Sequence, residues 1–146
     1  MLALAEKTMK LAPNSVVVVV IDDNVGSLEF VCAALARDGV TLLTASDPQQ
    51  GLDLIYRHHP QIVLTDMAMP VMSGLDLLER IMVFDPTTQV IVMSARHTPE
   101  TTAAASKKGA VDWLNKPISL FVLRDRVGRR IQACLSAEPW PPRFMM

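Results

Sequence analysis

Apolar and polar positions along the chain switch repeatedly between a strand-like and a helix-like period. Residues 16–21 form an unbroken β-branched run that stops abruptly at Asp22-Asp23-Asn24. A strand apolar on both faces suits a parallel sheet covered by helices on each side. Leu28, Val31, Cys32 and Leu35 then recur at helical spacing, with Asn24 as the cap and Gly39 as a left-handed stop. Residues 40–44 predict a second strand. Asp47-Pro48 starts a second helix whose buried stripe is Leu52, Ile55 and Tyr56, with Pro60 beyond its end. Residues 62–65 predict a third strand halting at Asp66, and residues 67–74 a loop. Leu75, Leu78 and Met82 mark a third helix, closed by Asp85-Pro86. Residues 90–93 predict a fourth strand ending at Ser94. Thr98-Pro99-Glu100 opens a fourth helix that Gly109 stops. Residues 110–114 predict a fifth strand that ends near Lys116-Pro117. Residues 118–135 predict a fifth helix with Leu120, Leu123, Val127 and Ile131 on one face.

Five alternations of strand and helix imply right-handed crossovers and a doubly wound α/β sheet with helices on both faces. The expected organisation is an N-terminal extension over residues 1–14 and one domain over 15–136. An irregular, proline-containing tail over 137–146 follows.

Composition narrows the function. A chain of 146 residues, half hydrophobic and one-fifth charged, is expected to fold around one core. A net charge of -1 supplies no global field for nucleic acid or an acidic membrane. The run Arg124, Arg126, Arg129, Arg130 therefore reads as a solvated helix face rather than a nucleic-acid site. Cys32 and Cys134 lack metal-ligand spacing and read as reduced, buried thiols. No apolar run approaches the ~20 residues that span a bilayer, and residues 1–13 lack the order of a signal peptide. The expected location is cytoplasmic.

The polar residues at the strand ends carry the chemistry. Strand one ends in Asp22-Asp23, strand three in Asp66, strand four in Ser94 and strand five at Lys116. In an open α/β sheet the carboxyl ends of the strands share one edge, where ligands bind. Three clustered carboxylates repel one another, and a divalent cation relieves that repulsion. Oxygen ligands without His or Cys favour a hard ion, here Mg²⁺. Metal and lysine together suit a dianionic phosphoryl group, and a carboxylate can accept one covalently. His58, His59 and His97 fall on no motif and read as surface or helix-end residues. Met67 and Met69 border the site.

The motifs Ile21-Asp22-Asp23-Asn24, Leu64-Thr65-Asp66-Met67-Ala68-Met69-Pro70 with Ser73-Gly74, Met93-Ser94-Ala95 and Asn115-Lys116-Pro117-Ile118 resemble those of the receiver domains of two-component response regulators. The resemblance runs from about Ser15 to Leu135. It implies a CheY-like, flavodoxin-like sheet in the order 2-1-3-4-5. It makes Asp66 the acceptor of a phosphoryl group from a sensor histidine kinase. Mg²⁺ is then held by Asp23, Asp66 and the backbone carbonyl of Ala68, with Asp22 acting through water. Ser94 becomes the switch hydroxyl and Lys116 the phosphoryl partner, and the Lys116-Pro117 bond is expected to be cis. Where the family carries Tyr or Phe as a rotating switch, this chain has Trp113, a larger ring whose N–H needs a partner when buried. Ala68 and Arg96 occupy the positions that tune phosphoryl lifetime. The implied activity is self-catalysed phosphoryl uptake and loss rather than enzymatic turnover.

The implied partners are the kinase, a downstream effector domain or protein, and a second copy through the face of helix four, strand five and helix five. Residues 101–110 and 123–128 look similar to receivers that head transcriptional activators of the NtrC type; a stand-alone receiver acting by protein contact is the alternative. Two other classes compete. An Asp-nucleophile phosphohydrolase needs an acid two residues past its nucleophile, where this chain has Ala68 after Asp66 and Asn24 after Asp22. An FMN binder needs a Ser/Thr/Gly-rich loop after strand one, where this chain is acidic.

Overall fold

A computed structural model describes residues 15–96 and 98–136. The expected extension, the expected tail and His97 lie outside the described residues. The elements are β1 (Val16–Ile21), α1 (Val25–Leu35), β2 (Val40–Ala45), α2 (Pro48–His58), β3 (Ile62–Asp66), α3 (Gly74–Phe84), β4 (Gln89–Ser94), α4 (Pro99–Lys107) and β5 (Asp112–Asn115). A last helix, α5, runs through Leu120–Val122, a π turn at Leu123–Val127, and Gly128–Ser136. The strands pair in parallel in the order β2-β1-β3-β4-β5, which is the doubly wound α/β architecture expected.

The all-β-branched β1 takes an interior place in this sheet, between β2 and β3, and both of its faces are covered. Val17, Val19 and Ile21 pack against Leu52 and Ile55 of α2 and Leu77, Leu78 and Ile81 of α3. Val16, Val18 and Val20 pack against Leu28, Val31 and Leu35 of α1 and Leu123, Val127 and Ile131 of α5. Fully burying each such side chain contributes about 1.5–3 kcal/mol, so the two-sided core holds β1 in register. Side-chain caps set the helix starts. Asn24, Asp47, Ser73 and Thr98 each accept a backbone N–H three residues on, and Thr98 closes a reciprocal pair with Thr101.

Several sequence expectations shift. Tyr56 is 43% and Leu120 42% exposed, so neither belongs to a buried stripe. In α3 the core positions are Leu77, Leu78 and Ile81, whereas Leu75 and Met82 are only partly buried. Helix α1 stops at Leu35 with Ala36 extended. Gly39, at φ +83°, instead shapes the turn into β2, and its carbonyl accepts the Val16 N–H. Strand β5 starts two residues later than expected. Cys32 and Cys134 are free and only partly buried, and burial raises both thiol pKa values. Among the described residues no helix is long and apolar enough to cross a membrane.

Gly74 opens α3 where the chain doubles back on β3. A Cβ there would lie 2.8 Å from the Met67 Cα and 2.9 Å from the Asp66 carbonyl oxygen. Both are backbone atoms that cannot step aside. Gly74→Ala is therefore expected to destabilise the domain by about 1–3 kcal/mol, read by urea unfolding. Unchanged or increased stability would contradict the close approach.

Candidate functional site

The carboxyl ends of β1, β3, β4 and β5 meet at one edge of the sheet. Backbone pairing fixes the arrangement: Ile21 lies opposite Thr65, Asp66 opposite Met93, and Ser94 opposite Asn115. The ladder continues past the strands, because Met67 N–H donates to the Met93 carbonyl and Lys116 N–H to the Ser94 carbonyl. Residues 22, 66, 94 and 116 are thus carried to one rim by hydrogen bonds, whatever their side chains do.

Asp22 is fully buried and Asp66 is 8% exposed, while Asp23 faces solvent. One oxygen from each of the three carboxylates lies within 4.8 Å of the others. The Lys116 ammonium reaches into the cluster, with Nζ 2.6 Å from Asp22 Oδ2 and 3.4 Å from Asp66 Oδ1. Asp22 is oriented from its other oxygen, which accepts the Asn24 N–H at 3.0 Å. Burial pushes the Asp66 carboxyl above its ordinary pKa of 3.8; the Asp22 charge adds to this, while Lys116 and the Met67 N–H oppose it. For Lys116, burial pulls the pKa down, but the hydrogen bond and charge of Asp22, helped by Asp66, leave it above 10.5. Lys116 therefore stays charged and is held mainly by Asp22. Asp66 keeps the less satisfied carboxylate.

The remaining expected residues fall around this centre. Ser94 is buried, and its hydroxyl is occupied: it donates to the Arg96 carbonyl at 2.7 Å and accepts the Arg96 N–H at 3.0 Å. Ala68 sits exposed in the loop after β3. The Arg96 residue is exposed, and the Lys116-Pro117 peptide is cis. Trp113 packs on the core beside Ala110, and its Nε1 is buried without a hydrogen-bond partner among the described residues.

Two features were missed by sequence reasoning. Thr65, fully buried, donates its hydroxyl to the Asp66 carbonyl at 3.0 Å; its place just before Asp66 was the only signal. The four arginines of α5 are also not a loose basic face. Arg126 pairs with Asp112 and Arg129 with Asp125. Arg130 donates to Gln89 and to the Val111 carbonyl, and Arg124 to the Ala34 carbonyl.

The family model for the response regulator receiver domain matches residues 18–128. The probable transcriptional regulatory protein TcrX of Mycobacterium tuberculosis is 34% identical over 113 residues, covering 76% of this chain and 48% of that protein. The DNA-binding transcriptional regulator NtrC of Rhizobium meliloti is 35% identical over 122 residues, covering 84% of this chain and 24% of that protein. The chain therefore spans about half and a quarter of the lengths of these two relatives. The crystal structure of a response regulator receiver domain protein from Clostridium thermocellum superposes with a TM-score of 0.74 at 28% identity, covering 90% of this chain and 99% of the other. An acid-rimmed, doubly wound sheet and a family match over most of its length lead to one conclusion: the chain belongs to the response regulator receiver domain family and is a receiver of two-component signalling.

Proposed function

We propose that Asp66 accepts a phosphoryl group from the phosphohistidine of a sensor kinase, and that the chain signals through the modified state rather than turning over a substrate. The observation that carries this reading is the Lys116 ammonium set between Asp22 and Asp66 inside a trio of carboxylate oxygens. One carboxylate is fixed by the lysine and the other is left less neutralised, as an acceptor of phosphorus must be. The Asp66 oxygen forms the new O–P bond as the donor's P–N bond breaks, and the electron pair returns to the imidazole.

Hard oxygen donors without nitrogen or sulfur fit Mg²⁺. Asp22, Asp23, Asp66 and the Ala68 carbonyl would hold it, and it would supply charge neutralisation for the transferring group. Lys116 neutralises a second phosphoryl oxygen. Ser94 donates to a third once its hydroxyl leaves the Arg96 carbonyl, so phosphorylation competes directly with the turn at 94–96. That turn leads into α4, which couples the site to the face of α4, β5 and α5. In this reading Trp113 is the responding ring and Arg96, with Ala68, sets the phosphoryl lifetime. An effector, a second copy docking on that face and a transcriptional output of the NtrC type are the partners and output this supports. Free thiols at Cys32 and Cys134 support a cytoplasmic location.

Asp66→Asn is expected to reduce Mg²⁺-dependent labelling by acetyl phosphate to background, with the wild-type phosphoryl group mapped to Asp66 by mass spectrometry. Undiminished labelling of the variant would overturn the acceptor assignment.

Stability gives a second test. Because the folded-state pKa of Asp66 is raised, the native chain takes up its proton before the unfolded chain as pH falls. The charged form thus costs stability above the folded value, and the cost fades as pH drops through it. In chelator at pH 7–8, Asp66→Asn is expected to raise Tm. Mg²⁺ at ten times its Kd is expected to stabilise the wild type by about 1.4 kcal/mol, a gain the variant loses. Equal Mg²⁺ gains in both proteins would contradict the site.

A further inference from the structure

On the side of the sheet that α2 and α3 cover, Val19, Ile21, Val63, Val90 and Val92 are buried and apolar. Thr65 stands in the same layer. It pairs in register with Ile21 on β1 and with Val92 on β4, and it is itself fully buried. A valine would keep the branched shape there and carry no hydroxyl to desolvate. The hydroxyl is engaged: it donates to the Asp66 carbonyl at 3.0 Å. A bond from a side chain to the next peptide joins no two elements of the fold. It fixes one peptide plane.

That peptide links the acceptor to the loop carrying Ala68. Its carbonyl is held by Thr65, and its N–H, that of Met67, donates to the Met93 carbonyl at 2.9 Å. The next carbonyl, that of Met67, accepts the Gly74 N–H at 2.8 Å. Of these three anchors only the first comes from a side chain, so a substitution can remove it and leave the backbone anchors in place. Turning the 66–67 plane shifts the Asp66 carboxylate relative to the Ala68 carbonyl. Both groups belong to the ligand set given above for Mg²⁺, so the orientation of this plane sets how well they meet at one ion.

We infer that Thr65 is a positioning residue for the acceptor site: its hydroxyl locks the 66–67 peptide so that the Asp66 carboxylate and the Ala68 carbonyl converge. The inference rests on the reading of Asp66 as the phosphoryl acceptor. Two variants of the full chain separate this role from packing. Thr65→Val keeps the shape and loses the donor. It is expected to fold, to exchange its Met67 amide faster than the wild type in chelator, and to weaken Mg²⁺ binding in a calorimetric titration. The loss is expected to be about tenfold, the low end for groups that orient metal ligands. Labelling by acetyl phosphate at Mg²⁺ concentrations below Kd slows with it. Thr65→Ser keeps the donor and loses a buried methyl, so its Tm is expected to fall. Its Mg²⁺ Kd is expected to stay within about twofold of the wild-type value.

Equal Mg²⁺ affinity and labelling in Thr65→Val and the wild type would overturn this role and leave the acceptor assignment standing. So would losses of affinity that follow Tm across the two variants, which is the result packing alone gives. If Thr65→Val does not fold, Thr65→Ser decides: a lowered Tm with wild-type Mg²⁺ affinity upholds the role, and weakened affinity overturns it. A wild type without Mg²⁺-dependent labelling overturns the acceptor reading and this inference together.

Discussion

The Lys116 ammonium is the interaction on which the site depends. Asp22 has no exposure at all, and a buried carboxylate without a partner would be strongly destabilising. Lys116 meets it at 2.6 Å. It can do so because β5 hands it to the rim beside Ser94, through the hydrogen bond from its own N–H to the Ser94 carbonyl. The sheet thus brings together charges that are 94 positions apart in sequence. The lysine cannot satisfy all three acids. Its second contact, with Asp66, is longer at 3.4 Å, and the net result is a raised Asp66 pKa. In the proposed reading, that residual negative charge is what would attract a hard cation and, with it, a phosphoryl group.

Around that centre the fold is conservative. Every residue of β1 is buried between two helical layers, so Asp22 emerges from a tightly constrained strand. Gly74 lets α3 begin directly against the Asp66 and Met67 backbone. The loop carrying Ala68 is therefore short and pinned by the Gly74 N–H to the Met67 carbonyl. On the side of β4 and β5, Ser94 is committed to Arg96, and the buried Trp113 Nε1 has no partner among the described residues. In the proposed reading, an acidic rim beside a serine hydroxyl held by its own turn and a buried indole N–H without a partner among the described residues is the basis for two states.

The architecture and the rim were legible in the sequence because both rest on strong local signals. The run of β-branched residues in β1, the caps at Asn24, Asp47 and Thr98, and the abrupt polar endings at Asp22, Asp66 and Ser94 each have one simple structural meaning. What was not legible depended on tertiary neighbours. Tyr56 and Leu120 match helical spacing yet stay exposed, and Tyr56 meets the Phe84 ring edge-on rather than the sheet core. Gly39 carries the positive φ expected of a helix stop, but four residues after Leu35, where α1 ends. The arginines of α5 look like one charged face, whereas Asp112, Asp125, Gln89 and two carbonyls divide them between β5, β4 and α1. Pairings of that kind are set by how α5, with its π turn, lies across the sheet, and periodicity carries no record of it.

The central claim is that three acids and one lysine form a single cation-binding rim. Titrating the full chain with Mn²⁺ while following backbone amide resonances tests it most directly, because a paramagnetic ion broadens only what lies near it. Selective broadening at Asp22, Asp23, Asp66, Met67, Ala68 and Lys116, reversed by excess Mg²⁺, is the expected result. Broadening centred on other acidic positions such as Asp47 and Asp53, or spread evenly over the surface, would contradict it.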